Sequence, residues 1–145
     1  MALTHDGAPP AEINIDPDLV HSLLQEQHPD LATLPVTFEQ SGWDNAIFRL
    51  GEDLVIRLPR RQAAADLIDN EQKWLPELSR HLPLPDRIGM PSKQYPCRWS
   101  ILPWFPGIRA DIHPPSADQA PIFAAFFKAL HTPAPQQAPL DPGSL

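Results

Sequence analysis

The chain has 145 residues, of which 42% are hydrophobic and 20% are charged, and it carries a net charge of −7. This composition predicts one soluble globular domain. It excludes a disulfide-stapled or multi-cysteine zinc domain, because Cys97 is the single cysteine. No apolar run approaches the roughly 18 residues of a membrane span, no secretory signal opens the chain, and no lysine or arginine precedes Arg49. We therefore expect a cytoplasmic protein with neither a membrane nor nucleic acid as a partner.

The chain opens with a predicted flexible tail over residues 1–15, which are small, polar and proline-bearing. Asp16 then has the character of a helix N-cap, with Pro17 at the first helical position. Leucines and a valine recur at helical spacing until Pro29. The pattern predicts a short amphipathic helix.

Three strand-like runs follow, over residues 36–40, 46–50 and 53–58, and the two connections between them have hairpin composition. In the third run, alternate residues point to opposite faces of a sheet. This places leucine and isoleucine on one face, which we expect the first helix to cover, and Val55 and Arg57 on the other.

A helical period begins after Arg60 and Arg61, a pair that we interpret as a solvated turn rather than a phosphate clamp. Glu71 lies in the middle of the apolar stripe of this helix. A carboxylate facing a core is costly unless a cation meets it, so we predict an ion pair with Arg57. Two interpretations remain open: the pair only sets the register of helix on sheet, or it belongs to a nucleotide site. Pro76 is expected to kink or divide the helix before His81.

The second half is rich in proline, and it predicts short strands around residues 86–90 and 98–102. Residues 103–107 break the second strand abruptly. Ser116 and Gln119 have the spacing of a capping box, which predicts one more helix ending near His131.

Several blocks of the chain resemble, in order and spacing, the aminoglycoside phosphotransferase family over about residues 16–140. The blocks are Gly42-Trp43-Asp44-Asn45, Phe48-Arg49-Leu50-Gly51, Val55-Ile56-Arg57-Leu58-Pro59, Glu71-Gln72-Lys73-Trp74-Leu75-Pro76 and Trp104-Phe105-Pro106-Gly107. The resemblance implies an α+β fold: a kinase-like small lobe with an antiparallel sheet of about five strands, a leading helix, a regulatory-type helix and a C-terminal helix after the hinge. The small lobe and hinge would cover residues 16–107, the start of a large lobe residues 108–132, and a proline-rich end residues 133–145.

The resemblance also implies a site for ATP or GTP with Mg²⁺. The turn over residues 42–45 would close over the phosphates, Arg57 would hold them, and Glu71 would hold Arg57. Because Arg57 stands where protein kinases have lysine, its planar guanidinium can grip Glu71 bidentately, which favours a structural clamp over a mobile phosphate contact. Val55 would touch the base, and the backbone of residues 102–105 would read its edge. The candidate nucleotide-binding residues are Gly42, Asp44, Asn45, Val55, Arg57, Glu71, Leu102, Trp104 and Phe105.

No catalytic or metal-binding residue of this family is found in the chain. The resemblance implies a catalytic Asp in a His-Gly-Asp loop after the hinge, with an Asn five residues later and a further metal-binding Asp. The one His-x-Asp here is His28-Pro29-Asp30, which precedes the sheet and has Pro35 at the Asn position. We therefore expect a truncated small-molecule phosphotransferase, with the family reaction of γ-phosphate transfer to a hydroxyl, that is inactive alone.

Two other functions remain open at this point. The chain could be a non-catalytic module that binds nucleotide or a protein, with Phe123, Phe126 and Phe127 meeting a missing large lobe or a protein partner. It could also be a structural α+β protein in which the pair of Arg57 and Glu71 is only a clamp.

Overall fold

A computed structural model describes residues 3–4, 7–78, 87–131, 133 and 136–137. The chain forms two compact units, Met1–Pro106 and Gly107–Leu145, rather than the one domain expected from its length. The boundary lies next to the one between residues 107 and 108 that the family resemblance implies, and among the described residues the buried core residues all precede it. The first unit contains β1 (Leu3–Thr4), α1 (Pro17–Gln27), β2 (Val36–Ser41), β3 (Asn45–Leu50), β4 (Leu54–Pro59), α2 (Gln62–Leu78), β5 (Arg87–Gly89) and β6 (Trp99–Pro103).

Helix α1 begins at the predicted cap. Asp16 is extended, and its Oδ1 accepts a hydrogen bond from the Leu19 backbone N–H at 2.8 Å, which satisfies a donor that the first helical turn leaves free. Its apolar stripe is buried in the core of the first unit, through Val20, Leu23 and Leu24. The prediction that this helix covers the sheet is therefore confirmed.

The strands form one sheet in the order β1-β2-β3-β4-β6-β5. The strands from β2 to β6 are antiparallel neighbours, which confirms the predicted five-stranded α+β lobe. The additional strand β1 pairs parallel with β2 from within the segment predicted as a tail. Its two residues are too few to show a period, so the sequence could not predict it. Ile13 and Ile15 of the same segment pack against the core; the flexibility of residues 1–15 stays a prediction.

The core lies on the face of the sheet that α1 covers. Phe48, Ile56 and Ile101 are in register across β3, β4 and β6, and all three are fully buried. At the edge of the sheet, Gly89 of β5 pairs with the buried Trp99 of β6. A Cβ atom at Gly89 would lie 1.8 Å from the indole ring, so only glycine fits there.

Helix α2 continues through Pro76 to Leu78, so this proline does not divide the helix, and the alternative of a kink stays a prediction. Pro76 stands in the last turn, where the loss of one backbone donor interrupts little of the helix. The predicted end near His81 lies outside the described residues. In the part of the chain that the structure describes, no helix is long and apolar enough to cross a membrane.

The second unit has a 3₁₀ turn, Ala117–Gln119, followed by α3 (Ala120–Leu130). The predicted capping box does not form. The Ser116 hydroxyl donates to the carboxylate of Asp118, and its oxygen accepts no hydrogen bond from a backbone N–H of the turn. The predicted proline-rich end lies almost wholly outside the described residues.

Candidate functional site

The sheet face opposite the core carries the predicted ion pair. Arg57 Nη2 donates to Glu71 Oε1, and their side chains are 23% and 28% exposed. The predicted pairing is therefore confirmed, although the two groups are partly rather than fully buried. Arg57 stands in the centre of the face, with Ile47 of β3 and Ser100 of β6 beside it in register.

The arginine does not grip the carboxylate with both arms of its fork. The contact runs through Nη2, and the Arg57 Nε atom is buried without a hydrogen-bond partner among the described residues. A buried guanidinium N–H without an acceptor is unfavourable, and an anionic oxygen is the group that best satisfies it. This arrangement leaves Arg57 with donor capacity that Glu71 does not use.

Gln72 fixes α2 to the same face. Its Nε2 donates to the Trp99 carbonyl oxygen at 2.9 Å and to the Ser100 hydroxyl at 3.1 Å, and Ser100 is fully buried. These bonds hold the helix beside β6 and so place the neighbouring Glu71 against Arg57. The sequence could not assign this role, because a glutamine on a predicted helix does not reveal its partner.

One end of the face is closed by Trp104. Val55 is in register with Leu102 on one side and Arg49 on the other, and all three are partly buried. The Arg49 guanidinium lies 4.0 Å from the centre of the Trp104 ring, a cation–π contact, and the backbone N–H of Trp104 donates to the Asp53 carbonyl oxygen at 2.7 Å. Val55 and Leu102 are thus neighbours in the sheet, and Trp104 contacts Arg49, the partner of Val55 in β3, whereas Phe105 is mainly exposed. Their roles in binding a nucleotide stay predictions. Arg49 was missed, although its position opposite Val55 in the predicted hairpin was a usable signal.

The other end of the face is formed by the turn over residues 42–45. The Gly42 N–H donates to the Asn45 carbonyl oxygen at 2.9 Å, and Asn45 is in register with Pro59 at the end of β4. A Cβ atom on Gly42 would come no closer than 3.9 Å to that oxygen, so the turn has room for a side chain. The Asn45 Oδ1 atom is buried and has no hydrogen-bond partner among the described residues.

Arg60 and Arg61 are not a solvated turn, so this interpretation was wrong. Arg60 Nη1 donates to the Gly42 carbonyl oxygen at 2.5 Å, and Arg61 Nη2 donates to Asp44 Oδ1 at 2.8 Å. Arg61 Nε also donates to the Trp43 carbonyl oxygen at 3.3 Å. Both arginines therefore hold the turn over residues 42–45, which only the tertiary approach of β4 to that turn makes possible.

His28 and Asp30, the one His-x-Asp of the chain, have structural partners. Arg87 binds both carboxylate oxygens of Asp30 at 2.7 Å, and this contact lowers the pKa of Asp30. His28 Nε2 lies 3.2 Å from the Ile88 carbonyl oxygen. These contacts attach the segment after α1 to β5, so the histidine and the aspartate of this motif have structural roles here.

The described part of the chain has no cluster of metal-ligating side chains, and its free cysteine, Cys97, is buried. Within residues 3–4, 7–78, 87–131, 133 and 136–137, no group of three or more His, Cys, Asp or Glu side chains could hold a metal ion. Burial raises the pKa of the Cys97 thiol, which keeps it protonated at neutral pH.

A family profile matches most of the chain, and the solved structures that resemble it share its fold. The sequence profile described as "APH: Phosphotransferase enzyme family" matches residues 36–142. Among solved structures, a mutant of aminoglycoside 2'-phosphotransferase-IIIa in its GDP complex has a TM-score of 0.58 at 22% identity, over 66% of this chain and 32% of that one. The gentamicin complex of APH(2'')-IIa has a TM-score of 0.57 at 19% identity, over 86% of this chain and 42% of that one.

ADP-bound APH(2'')-Ib is a further structural neighbour, with a TM-score of 0.54 at 20% identity, over 83% of this chain and 41% of that one. No curated protein sequence matches the chain significantly. The structural matches establish a fold shared with aminoglycoside phosphotransferases. The chain spans about a third to two fifths of the length of these relatives.

Proposed function

The chain belongs to the phosphotransferase enzyme family, and from this premise we propose that it forms the nucleotide-binding part of a small-molecule phosphotransferase. The reaction of such an enzyme transfers the γ-phosphate of ATP or GTP to a hydroxyl group of its substrate. Solved relatives are described as complexes with GDP, with ADP, or with streptomycin and ATP. For this chain we propose the same ligand class, and a cytoplasmic location stays a prediction.

The order of groups along one sheet face supports the proposal. Strand β4 carries Val55 near the Trp104 end, Arg57 in the centre and Pro59 beside the turn over residues 42–45. A nucleotide is elongated, with an apolar base at one end and charged phosphates at the other. Val55 and Leu102 offer an apolar surface for the base, whereas Arg57 and the turn offer charge and backbone groups for the phosphates.

The single observation that carries the proposal is the state of Arg57. Its Nη2 atom is held by Glu71, while its buried Nε–H has no acceptor among the described residues. Arginine–carboxylate pairs frequently form two parallel hydrogen bonds, and this pair forms one. In the proposed complex, a phosphate oxygen of the nucleotide accepts a hydrogen bond from the guanidinium of Arg57, which Glu71 contacts through Nη2 alone.

Phosphoryl transfer itself needs groups that the described residues do not supply. Kinase-type reactions use Mg²⁺ to neutralise the phosphates and an aspartate to accept the hydroxyl proton, but these residues hold no metal cluster. We therefore assign to them nucleotide binding and orientation only. The hydroxyl-bearing acceptor and the proton transfer belong to the rest of an enzyme of this family.

Calorimetric titration of the 145-residue chain with ATP and with GTP tests the proposal. We expect one of the two to bind, and Arg57→Ala to weaken that binding by about tenfold, because the variant loses a charge-assisted phosphate contact. Arg87→Ala is the matched control, since it removes an arginine from the edge of the same sheet. Arg57→Lys keeps the charge and separates a binding effect from misfolding. Failure of both nucleotides to bind, or equal affinity of Arg57→Ala and the parent, would contradict the proposal.

A second candidate function is protein binding through α3. Ile122 and Phe123 are 65% and 64% exposed, and Phe126 and Phe127 are 38% and 40% exposed. Exposed apolar faces of this kind are typical of surfaces that meet another polypeptide, such as a large lobe or a protein partner. Sedimentation analysis of the parent and of Phe123→Ser tests it: a monomeric parent that binds nucleotide favours the first function, and self-association relieved by Phe123→Ser favours the second.

A further inference from the structure

The turn over residues 42–45 is held from one side by consecutive arginines at the end of β4. Arg60 binds this turn through its guanidinium, which donates to the Gly42 carbonyl oxygen, and through its backbone N–H, which donates to the Asp44 carbonyl oxygen at 2.7 Å. Arg61 adds contacts to the Trp43 carbonyl oxygen and to the Asp44 carboxylate. The turn is thereby tied to the start of α2 by several charge-assisted hydrogen bonds.

The segment that carries Arg60 and Arg61 is itself held by hydrogen bonds to the N-terminal part of the chain. The Arg60 carbonyl oxygen accepts the Glu12 N–H at 2.9 Å, and Glu12 Oε2 accepts the Gln62 N–H at 2.9 Å. Residues 60–62 are thus bound on both sides, by the turn and by the N-terminal segment. Since Gln62 is the first residue of α2, the turn and the helix that carries Glu71 share one anchor.

The negative charge of Asp44 makes its ion pair with Arg61 relevant to phosphate binding. A carboxylate in a turn that covers phosphates would repel them, because like charges a few ångströms apart disfavour each other. Arg61 Nη2 lies 2.8 Å from Asp44 Oδ1, and the Arg61 side chain is only 22% exposed, so the opposite charge is held close and partly out of water.

We propose that Arg61 is a positioning residue for the phosphates of the nucleotide: it neutralises Asp44 and holds the turn over residues 42–45 in a conformation that admits a triphosphate. This inference rests on the proposed function and adds a residue to it that touches the turn rather than the ligand. It also changes the role of Asp44, from a nucleotide contact to the partner of Arg61.

The test compares phosphate-bearing and phosphate-free ligands on the full chain. ATP and GTP are titrated against the parent, Arg61→Ala, Asp44→Asn and the double variant, and adenosine and guanosine serve as phosphate-free probes. We expect Arg61→Ala to weaken triphosphate binding by about fivefold, as for a partly exposed ion pair, with nucleoside binding unchanged. Adding Asp44→Asn to Arg61→Ala should restore part of the loss, because the uncompensated carboxylate is gone.

The outcomes separate this inference from the function on which it rests. If the parent binds neither ATP nor GTP, the proposed function fails. If the parent binds and Arg61→Ala binds the triphosphate as tightly, or loses nucleoside and triphosphate affinity equally, the role of Arg61 is overturned while the function stands. Arg98→Ala, which removes the arginine of another Arg–Asp pair, is the matched control. Should Arg61→Ala not fold, the neutral but polar Arg61→Gln, with and without Asp44→Asn, gives the same comparison.

Discussion

The two faces of the sheet differ in how the same strands use alternate residues. On the face under α1, Phe48, Ile56 and Ile101 are fully buried and contribute only packing. On the opposite face, the residues next to them in sequence, such as Arg49, Val55 and Arg57, are partly buried and carry charge or apolar surface that is incompletely covered.

The difference shows how a small lobe separates stability from binding. A period of two allows one strand to present a core residue and a site residue in succession, so neither role constrains the other. The core face fixes the positions of the strands, and the opposite face can then hold partly exposed cations that a core would not tolerate. Substitutions on the two faces should accordingly affect different measurements.

The largest effect is expected for neighbouring residues of β4. Ile56→Ala should lower the free energy of unfolding by about 2–5 kcal/mol, because it leaves a cavity in the fully buried core. Val55→Ala, one residue away on the other face, should cost about 1 kcal/mol or less. Urea denaturation of both variants measures the contrast, and equal losses would contradict the division of roles between the faces.

An intermediate effect is expected for two glycines. Gly89→Ala should lower the free energy of unfolding by about 1–3 kcal/mol, since its Cβ atom would overlap the buried Trp99 ring and force it to move. Gly42→Ala has open space and should change stability by no more than about 0.5 kcal/mol. Thermal denaturation followed by tryptophan fluorescence compares them; a similar loss for Gly42→Ala would mean that the turn is packed more tightly than its geometry indicates.

The smallest effect is expected away from both faces, at Asp30. Its hydrogen bond to Arg87 lowers the pKa of Asp30 below its ordinary value of 3.8. A lowered folded-state pKa adds stability above pH 3.8, and this contribution is lost as the pH falls through the folded-state value. Asp30→Asn should therefore be slightly less stable than the parent at neutral pH, and the difference should vanish in acid. A difference that stays constant with pH, or that persists when Arg87→Ala is also present, would contradict the assignment.

Much of the fold was predictable because its signals are local. The cap at Asp16, the alternation in β4 and the helical spacing around Glu71 each lie within a few consecutive residues. The opposite charges of Arg57 and Glu71 were enough to predict that they pair between β4 and α2. The candidate site was predictable to the extent that it follows these elements. Val55 and Leu102 are neighbours because β4 and β6 pair in register.

The sequence by itself determined the order of the helices and of strands β2 to β6, the face on which each residue of β4 stands and the pairing of Arg57 with Glu71, since period and charge act over short distances. Only the tertiary structure decided the partners of Arg49, Arg60 and Arg61, and the close approach of Gly89 to Trp99. A long polar side chain has several acceptors within reach, and its choice depends on distances between strand ends and turns that no local pattern records. The physical reason is that a periodic pattern specifies the face of a strand or helix on which a side chain lies, whereas a hydrogen bond or packing contact requires two groups to lie at a particular distance.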